Sequence, residues 1–239
     1  MRRKKLSETS PRILTLDLET VGQMDSSYGE VITYGAKWLG EDKVIVKDLR
    51  DFKLYKTEPW NSAALLNDLA DLIDSADMLV TFFGTGFDLP MIKAMMTKNG
   101  RFLRPVPHVD LYYVNKFHHK IGRGSLDAAL TFFEMNEQKM HLAPLVWLKA
   151  MRGNKEAMDL IKSRCESDVR ATEELYLKLR PLVRTHPRLT LGVCRNCGSN
   201  NVTRQGTKIT SAGVKHQQIK CQNCGAWGSL HPRGKEIGR

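Results

Sequence analysis

Apolar residues follow two rhythms along this chain. Residues 13–18 and 31–39 are short apolar runs that read as strands, joined through Gly40-Glu41-Asp42 to a third strand at 43–47. The spacing then becomes helical. Ala64, Leu65, Leu69, Leu72 and Ile73 lie on one face of a helix that Asn61 or Ser62 can cap. Residues 78–83 return to a strand, and a helix follows from about Leu89 to Thr97, stopped near Gly100. After Pro105-Val106-Pro107, residues 109–114 suit either a last short strand or the start of a helix. Residues 126–135 and 154–180 read as helices, the second with the stripe Val169, Ala171, Thr172, Leu175, Tyr176 and Leu179. Three early strands and then helices alternating with strands predict an α/β fold, a mixed sheet flanked by helices.

Carboxylates break this pattern at informative places. Asp17 and Glu19 are two apart in the first apolar run, so both leave one face of a strand otherwise built for burial. Asp88 ends the segment Phe82-Phe83-Gly84-Thr85-Gly86-Phe87-Asp88, and Asp168 lies in the last helix. Buried carboxylates are costly unless paired, protonated or bound to cations. Several oxygen ligands converging from different elements are what Mg²⁺ or Mn²⁺ requires for displacement at phosphorus.

These segments resemble the three motifs of the DEDD superfamily of 3′–5′ exonucleases, within the ribonuclease H-like fold. Leu14-Thr15-Leu16-Asp17-Leu18-Glu19-Thr20 is similar to the first motif. Thr81-Phe82-Phe83-Gly84-Thr85-Gly86-Phe87-Asp88-Leu89-Pro90 is similar to the second, and Cys165-Glu166-Ser167-Asp168-Val169 to the end of the third. Gly124-Ser125-Leu126-Asp127 resembles a segment often found between the last two. The resemblance covers roughly residues 11–180. It implies two Mg²⁺ or Mn²⁺ ions, with Asp17 bridging both, Glu19 and Asp168 on one, and Asp88 helping to hold the other. Two departures stand out. Members carry Tyr four residues or His five residues before the last Asp, whereas this chain has Arg164 and Ser163 there, neither a natural general base. Phe83 also replaces the Asn that precedes the motif-two glycine.

Composition adds a second module. Cys194-Arg195-Asn196-Cys197-Gly198 and Cys221-Gln222-Asn223-Cys224-Gly225 are paired knuckles whose thiolates suit one structural Zn²⁺, in an arrangement similar to a zinc ribbon. Two disulfides or a redox pair are the rival readings. The segments 202–204, 207–209 and 216–220 read as its strands, and the trailing glycines suit left-handed turns. Cys165 is left over and expected to pack within its helix. Of the net charge of +11 over 239 residues, +7 falls in residues 195–239, where Glu236 is the lone acid. Such asymmetry points to nucleic acid. The expected organisation is a basic tail (1–10), a ribonuclease H-like domain (11–183), a linker (184–191), the ribbon (192–230) and a second basic tail (231–239).

The basic N-terminus is followed by Leu6-Ser7-Glu8-Thr9-Ser10 and lacks a secretory signal's apolar core. An intracellular protein, cytoplasmic or nucleoid-associated and without a membrane span, is expected. The resulting expectation is a metal-dependent 3′–5′ exonuclease acting on nucleic acid, single-stranded DNA before RNA. The alternatives are a structure-selective endonuclease on the same fold and an inactive nucleic-acid-binding accessory protein. His118, His119, Lys120 and Arg123 are read as surface residues, Tyr112 and Tyr113 as core and rim aromatics, Asp127 as serving a helix start, and Asp110 as a supporting contact.

Overall fold

The computed structural model describes residues 12–22, 25–121, 124–183, 194 and 199–230. They divide into two compact units, one spanning Arg12–Lys178 and one beginning at Leu179. The expected linker at 184–191 and both tails lie outside the described residues.

The first unit is built on a five-stranded mixed sheet in the order β3-β2-β1-β4-β5. The strands are β1 (Ile13–Gly22), β2 (Gly29–Trp38), β3 (Val44–Asp48), β4 (Met78–Thr81) and β5 (His108–Asp110). β1, β2 and β3 form an antiparallel meander, and β4 and β5 add parallel to β1. β1 is thus central, and Leu14, Leu16 and Leu18 on one face and Ile13 and Thr15 on the other are all buried, as a strand covered on both faces requires. The helices are α1 (Ala63–Ser75), α2 (Asp88–Lys98), α3 (Leu111–His118), α4 (Leu126–Phe132), α5 (Pro144–Ala150) and α6 (Lys155–Leu179). Leu65, Leu69 and Ile73 of α1 and Ile92 and Met96 of α2 are buried in the main core.

Three expectations need adjusting. β1 continues to Gly22 through a register shift between Glu19 and Thr20, which leaves Ile32 of β2 as the extra residue. Residues 109–114 do both things weighed for them: β5 ends at Asp110, whose side chain caps α3 by accepting the N–H of Tyr112. The strand expected at 78–83 stops at Thr81, because Phe83 takes a φ of 66° and turns the chain.

Contact between α6 and β2 fixes the architecture around the acids. Gly35 of β2 stands opposite Asp17 of β1. A Cβ on Gly35 would lie 2.8 Å from Cγ2 of Val169 and 3.0 Å from Sγ of Cys165. Glycine therefore lets the helix lie almost on the strand backbone. Ile161, Cys165, Val169 and Thr172 form its buried face, each large apolar side chain contributing about 1.5–3 kcal/mol. A buried ion pair from Lys37 of β2 to Glu173 sets the helix's position along the sheet.

In the second unit β6 (Val202–Ile209), β7 (Lys215–Cys221) and β8 (Trp227–Leu230) form an antiparallel sheet in that order. The two strands expected at 202–204 and 207–209 are one strand, broken in register where Gly206 has a φ of 50°. Gly225 has a φ of 71°, as the second knuckle requires, while Cys197 and Gly198 lie outside the described residues. Trp227 is exposed, with Nζ of Lys220 5.8 Å from its ring centre. Among the described residues no helix is long and apolar enough to cross a membrane.

Candidate active site

The carboxyl ends of the parallel strands β1, β4 and β5 open on one edge of the sheet, and the acids gather there. Asp17 and Glu19 leave β1 two residues apart, and α6 brings Asp168 to them through the close approach at Gly35. One carboxylate oxygen from each of Asp17, Glu19 and Asp168 lies within 4.8 Å of the others. Asp88 stands outside that group but beside it. In the first turn of α2, its Oδ1 accepts the N–H of Leu18, the residue between Asp17 and Glu19, at 3.0 Å.

The loop that delivers Asp88 is tightly determined. A Cβ on Gly84 would stand 2.2 Å from Oγ1 of Thr81, and one on Gly86 would stand 2.5 Å from the Phe83 ring. Asp110 accepts the N–H groups of Phe83 and Thr85, both at 2.9 Å, while also capping α3. The supporting contact expected of Asp110 is therefore a clamp on the Asp88 loop. Ser125 caps α4, with Asp127 in its first turn.

Burial and mutual repulsion disfavour the ionised acids. Removal from water holds the Asp17 carboxyl well above the ordinary range, and the charges of Asp88, Glu19 and Asp168 add to this. Burial pushes Glu19 up to about 8 against the pull of Arg164, and Asp88 up to about 7 against two backbone N–H donors. Oε1 of Glu19 and Oδ1 of Asp168 are buried with no hydrogen-bond partner. Their other oxygens meet cations. Arg164 spans the pair, with Nη1 3.0 Å from Oε2 of Glu19 and Nη2 3.4 Å from Oδ2 of Asp168. Nζ of Lys139 is 3.2 Å from the same Asp168 oxygen.

Sequence reasoning missed Lys139, which precedes α5 in a stretch with no motif around it. It noted Arg164 only as a replacement for Tyr, although its place one helical turn before Asp168 was enough to put it at that acid. Ser163 is exposed on α6 and donates to the carbonyl of Asp159. Cys165 is fully buried 3.7 Å from the Asp17 carbonyl, and burial raises its thiol pKa. His118 and His119 lie at the end of α3, His119 edge-on to Phe133, outside the carboxylate group.

A family model described as RNase_H superfamily matches residues 14–180, a span that encloses all four acids. The chain belongs to the RNase_H superfamily. Its fold is also similar to the family B DNA polymerase of the hyperthermophilic archaeon Pyrobaculum calidifontis, with a TM-score of 0.59 and 18% identity. That match covers 87% of this chain and 32% of the polymerase, so the chain spans about a third of the polymerase's length. No curated protein matches the sequence.

Membership of the RNase_H superfamily supports nucleic-acid hydrolysis and nucleic acid as the substrate. Asp17, Glu19 and Asp168 could hold a divalent metal. The partnerless oxygens of Glu19 and Asp168 fit that role, since a hard cation supplies what no protein donor does there. In the second unit the sulfurs of Cys194, Cys221 and Cys224 lie within 4.8 Å of one another. Those of Cys194 and Cys224 are 3.6 Å apart, close to the ~3.8 Å edge of a tetrahedron with Zn–S bonds of ~2.3 Å.

Proposed function

We propose that this chain is a metal-dependent 3′–5′ exonuclease that hydrolyses phosphodiester bonds of nucleic acid, single-stranded DNA before RNA. The observation that carries this reading is the convergence of Asp17, Glu19 and Asp168, with two of their buried oxygens left without donors. Asp17, Glu19, Asp88 and Asp168 would hold two Mg²⁺ or Mn²⁺ ions. Such ions, when bound, lower the pKa of attacking water and offset charge on the leaving oxygen.

The chain's own residues do the rest. Four ionised carboxylates against Arg164 and Lys139 leave two negative charges, the complement of one divalent ion. The substrate phosphate supplies further negative charge for a second. Arg164 and Lys139 hold fixed positive charge beside the acids, where it can also bind and orient that phosphate. The Arg164 guanidinium carries only donors and Ser163 is turned to solvent, so neither serves as the proton acceptor that Tyr or His provides in related enzymes. Cys194, Cys197, Cys221 and Cys224 would bind one structural Zn²⁺, and the basic ribbon would hold the phosphate backbone without sequence preference.

A second reading has its own observation. Arg164 and Lys139 already pair with Glu19 and Asp168, and an ion-paired cluster of that kind suits a nucleic-acid-binding protein that has lost activity. Incubating 5′-labelled single- and double-stranded DNA and RNA with Mg²⁺, Mn²⁺ or EDTA decides between them. Stepwise shortening that needs metal and disappears in Asp17→Ala supports the exonuclease. Internal cuts make it an endonuclease, and binding without any cleavage favours the accessory protein.

A further inference from the structure

An unbroken row of aromatic rings runs from the loop that carries Asp88 along α3. The Phe83 and Tyr112 centroids are 4.8 Å apart, Tyr112 and Tyr113 5.1 Å, and Tyr113 and Phe117 6.2 Å with their planes stacked. Both ends of the row are open to solvent: Phe83 is 41% exposed and Phe117 75%. Two of the rings pack closely against backbone. Backbone at Gly86 lies so close to Phe83 that a Cβ would stand 2.5 Å from its ring, and Gly124 approaches Tyr112 to within 2.7 Å by the same measure. Asp110 fixes the joint between loop and helix through its three backbone hydrogen bonds.

Charge along the same segment has one sign. Residues 111–126 carry Lys116, Lys120, Arg123 and two histidines and no acid, in a chain with 26 acidic residues. Nζ of Lys116 is 5.8 Å from the Tyr112 ring centre, and both Lys116 and Lys120 are exposed. A contiguous exposed aromatic patch marks an interaction site, where single exposed rings do not. A segment without acids, in which rings and cations interleave, matches a polyanion whose flat groups stack.

We propose that the 83–88 loop and α3 form a base-stacking track for single-stranded nucleic acid, leading the strand toward the carboxylates. This rests on the reading of Asp17, Glu19, Asp88 and Asp168 as the place where the strand is cut. Phe83 receives the base nearest the acids and Phe117 an outer one. α3 rises about 9 Å between its start and Phe117, room for about three stacked bases. Lys116 and Lys120 meet the phosphates between them.

The test is fluorescence anisotropy of the full-length chain in EDTA, with 5′-labelled (dT)8, (rU)8 and (dT)2. Phe117→Ala should weaken binding of the eight-residue strands about 10-fold, leave (dT)2 unchanged and leave the salt slope as it was. Phe117→Trp should restore affinity. Lys116→Gln should instead make the salt slope shallower by about 0.7. Comparison of (dT)8 with (rU)8 shows whether the track takes DNA, RNA or both. Hydrolysis of the p-nitrophenyl ester of thymidine 5′-phosphate with Mn²⁺ reports on the carboxylates alone. If that ester is untouched while strand binding depends on Phe117, the nuclease reading falls and the track stands. If Phe117→Ala binds (dT)8 and (rU)8 as tightly as the unaltered chain, or if that chain binds them no better than (dT)2, the track is overturned. The exposed rings would then belong to a protein-docking face.

Discussion

Asp110 Oδ1 accepts the backbone N–H of Phe83 at 2.9 Å, across the gap between β5 and the loop that follows β4. The same carboxylate takes the N–H groups of Thr85 and Tyr112, so one buried side chain caps α3 and holds the left-handed turn before Asp88. Asp110→Ala should cost about 2–4 kcal/mol, because buried N–H groups lose their acceptors. Urea denaturation should register this as a lower midpoint. Activity should fall further than stability, since the Asp88 loop loosens. Unchanged midpoint and turnover would mean that the loop is held by other contacts.

Removing the guanidinium that bridges Glu19 and Asp168 should have opposite effects with and without metal. Arg164→Ala leaves the acids less compensated, so the melting temperature in EDTA should fall. It also frees the carboxylate oxygens for a divalent ion, so calorimetric titration should show tighter Mn²⁺ binding. Equal Mn²⁺ affinity in the two proteins would place Arg164 outside the metal's competition.

Stability of the metal-free chain should decline from about pH 4.5 to about pH 8. Burial holds Glu19 at about 8 and Asp88 at about 7, against ordinary values of 4.5 and 3.8. Across that interval the folded chain keeps protons that the unfolded chain has released, so each rise in pH favours unfolding until the folded groups have ionised. Thermal melts in EDTA at pH 5 and pH 8 should therefore give the lower value at pH 8. Saturating Mn²⁺ should shrink or reverse the difference, because the ion binds the ionised form. A profile that rises with pH in EDTA would contradict the burial of these acids.

Gly35→Ala inserts a methyl group into the contact of β2 with α6. Overpacking of this kind costs about 1–3 kcal/mol, or roughly 2–10 °C in melting temperature for a unit of this size. Because α6 also carries Asp168, metal affinity should fall along with stability. A variant that melts lower yet binds Mn²⁺ normally would show that the helix yields without moving Asp168.

The second unit should carry one zinc per chain by elemental analysis, lost in Cys221→Ser. Removing residues 192–239 should leave the pace of cleavage on saturating short strands intact. It should weaken binding of long strands and flatten the salt dependence, since +7 charge departs. An unchanged salt slope would assign the ribbon to another partner.

Much of the scaffold was legible because its rhythms are local. β1, β2, α1 and α6 announce themselves through two-residue or helical spacing, and Asp17 and Glu19 are conspicuous because they interrupt an apolar run. α5 was missed because it is short and exposes Leu145 and Leu148 alongside Val146, Trp147 and Ala150, which pack on the core, so its apolar residues do not separate into one face in the sequence. Lys139 and the clamp at Asp110 depend on contacts between segments far apart in sequence, which no spacing encodes. The last helix was legible as far as Asp168. What Arg164 does there emerged only when α6 was laid against β1.

Cys165 packs against Asp17 from 148 positions further along the chain, and Asp168 arrives with it. A growing polypeptide that has emerged only as far as α5 holds the sheet, α2 and three of the four acids, yet lacks the fourth. On the proposed function, cutting must await the emergence of α6 and its docking over Gly35, so a chain that stops short of α6 cannot cleave nucleic acid.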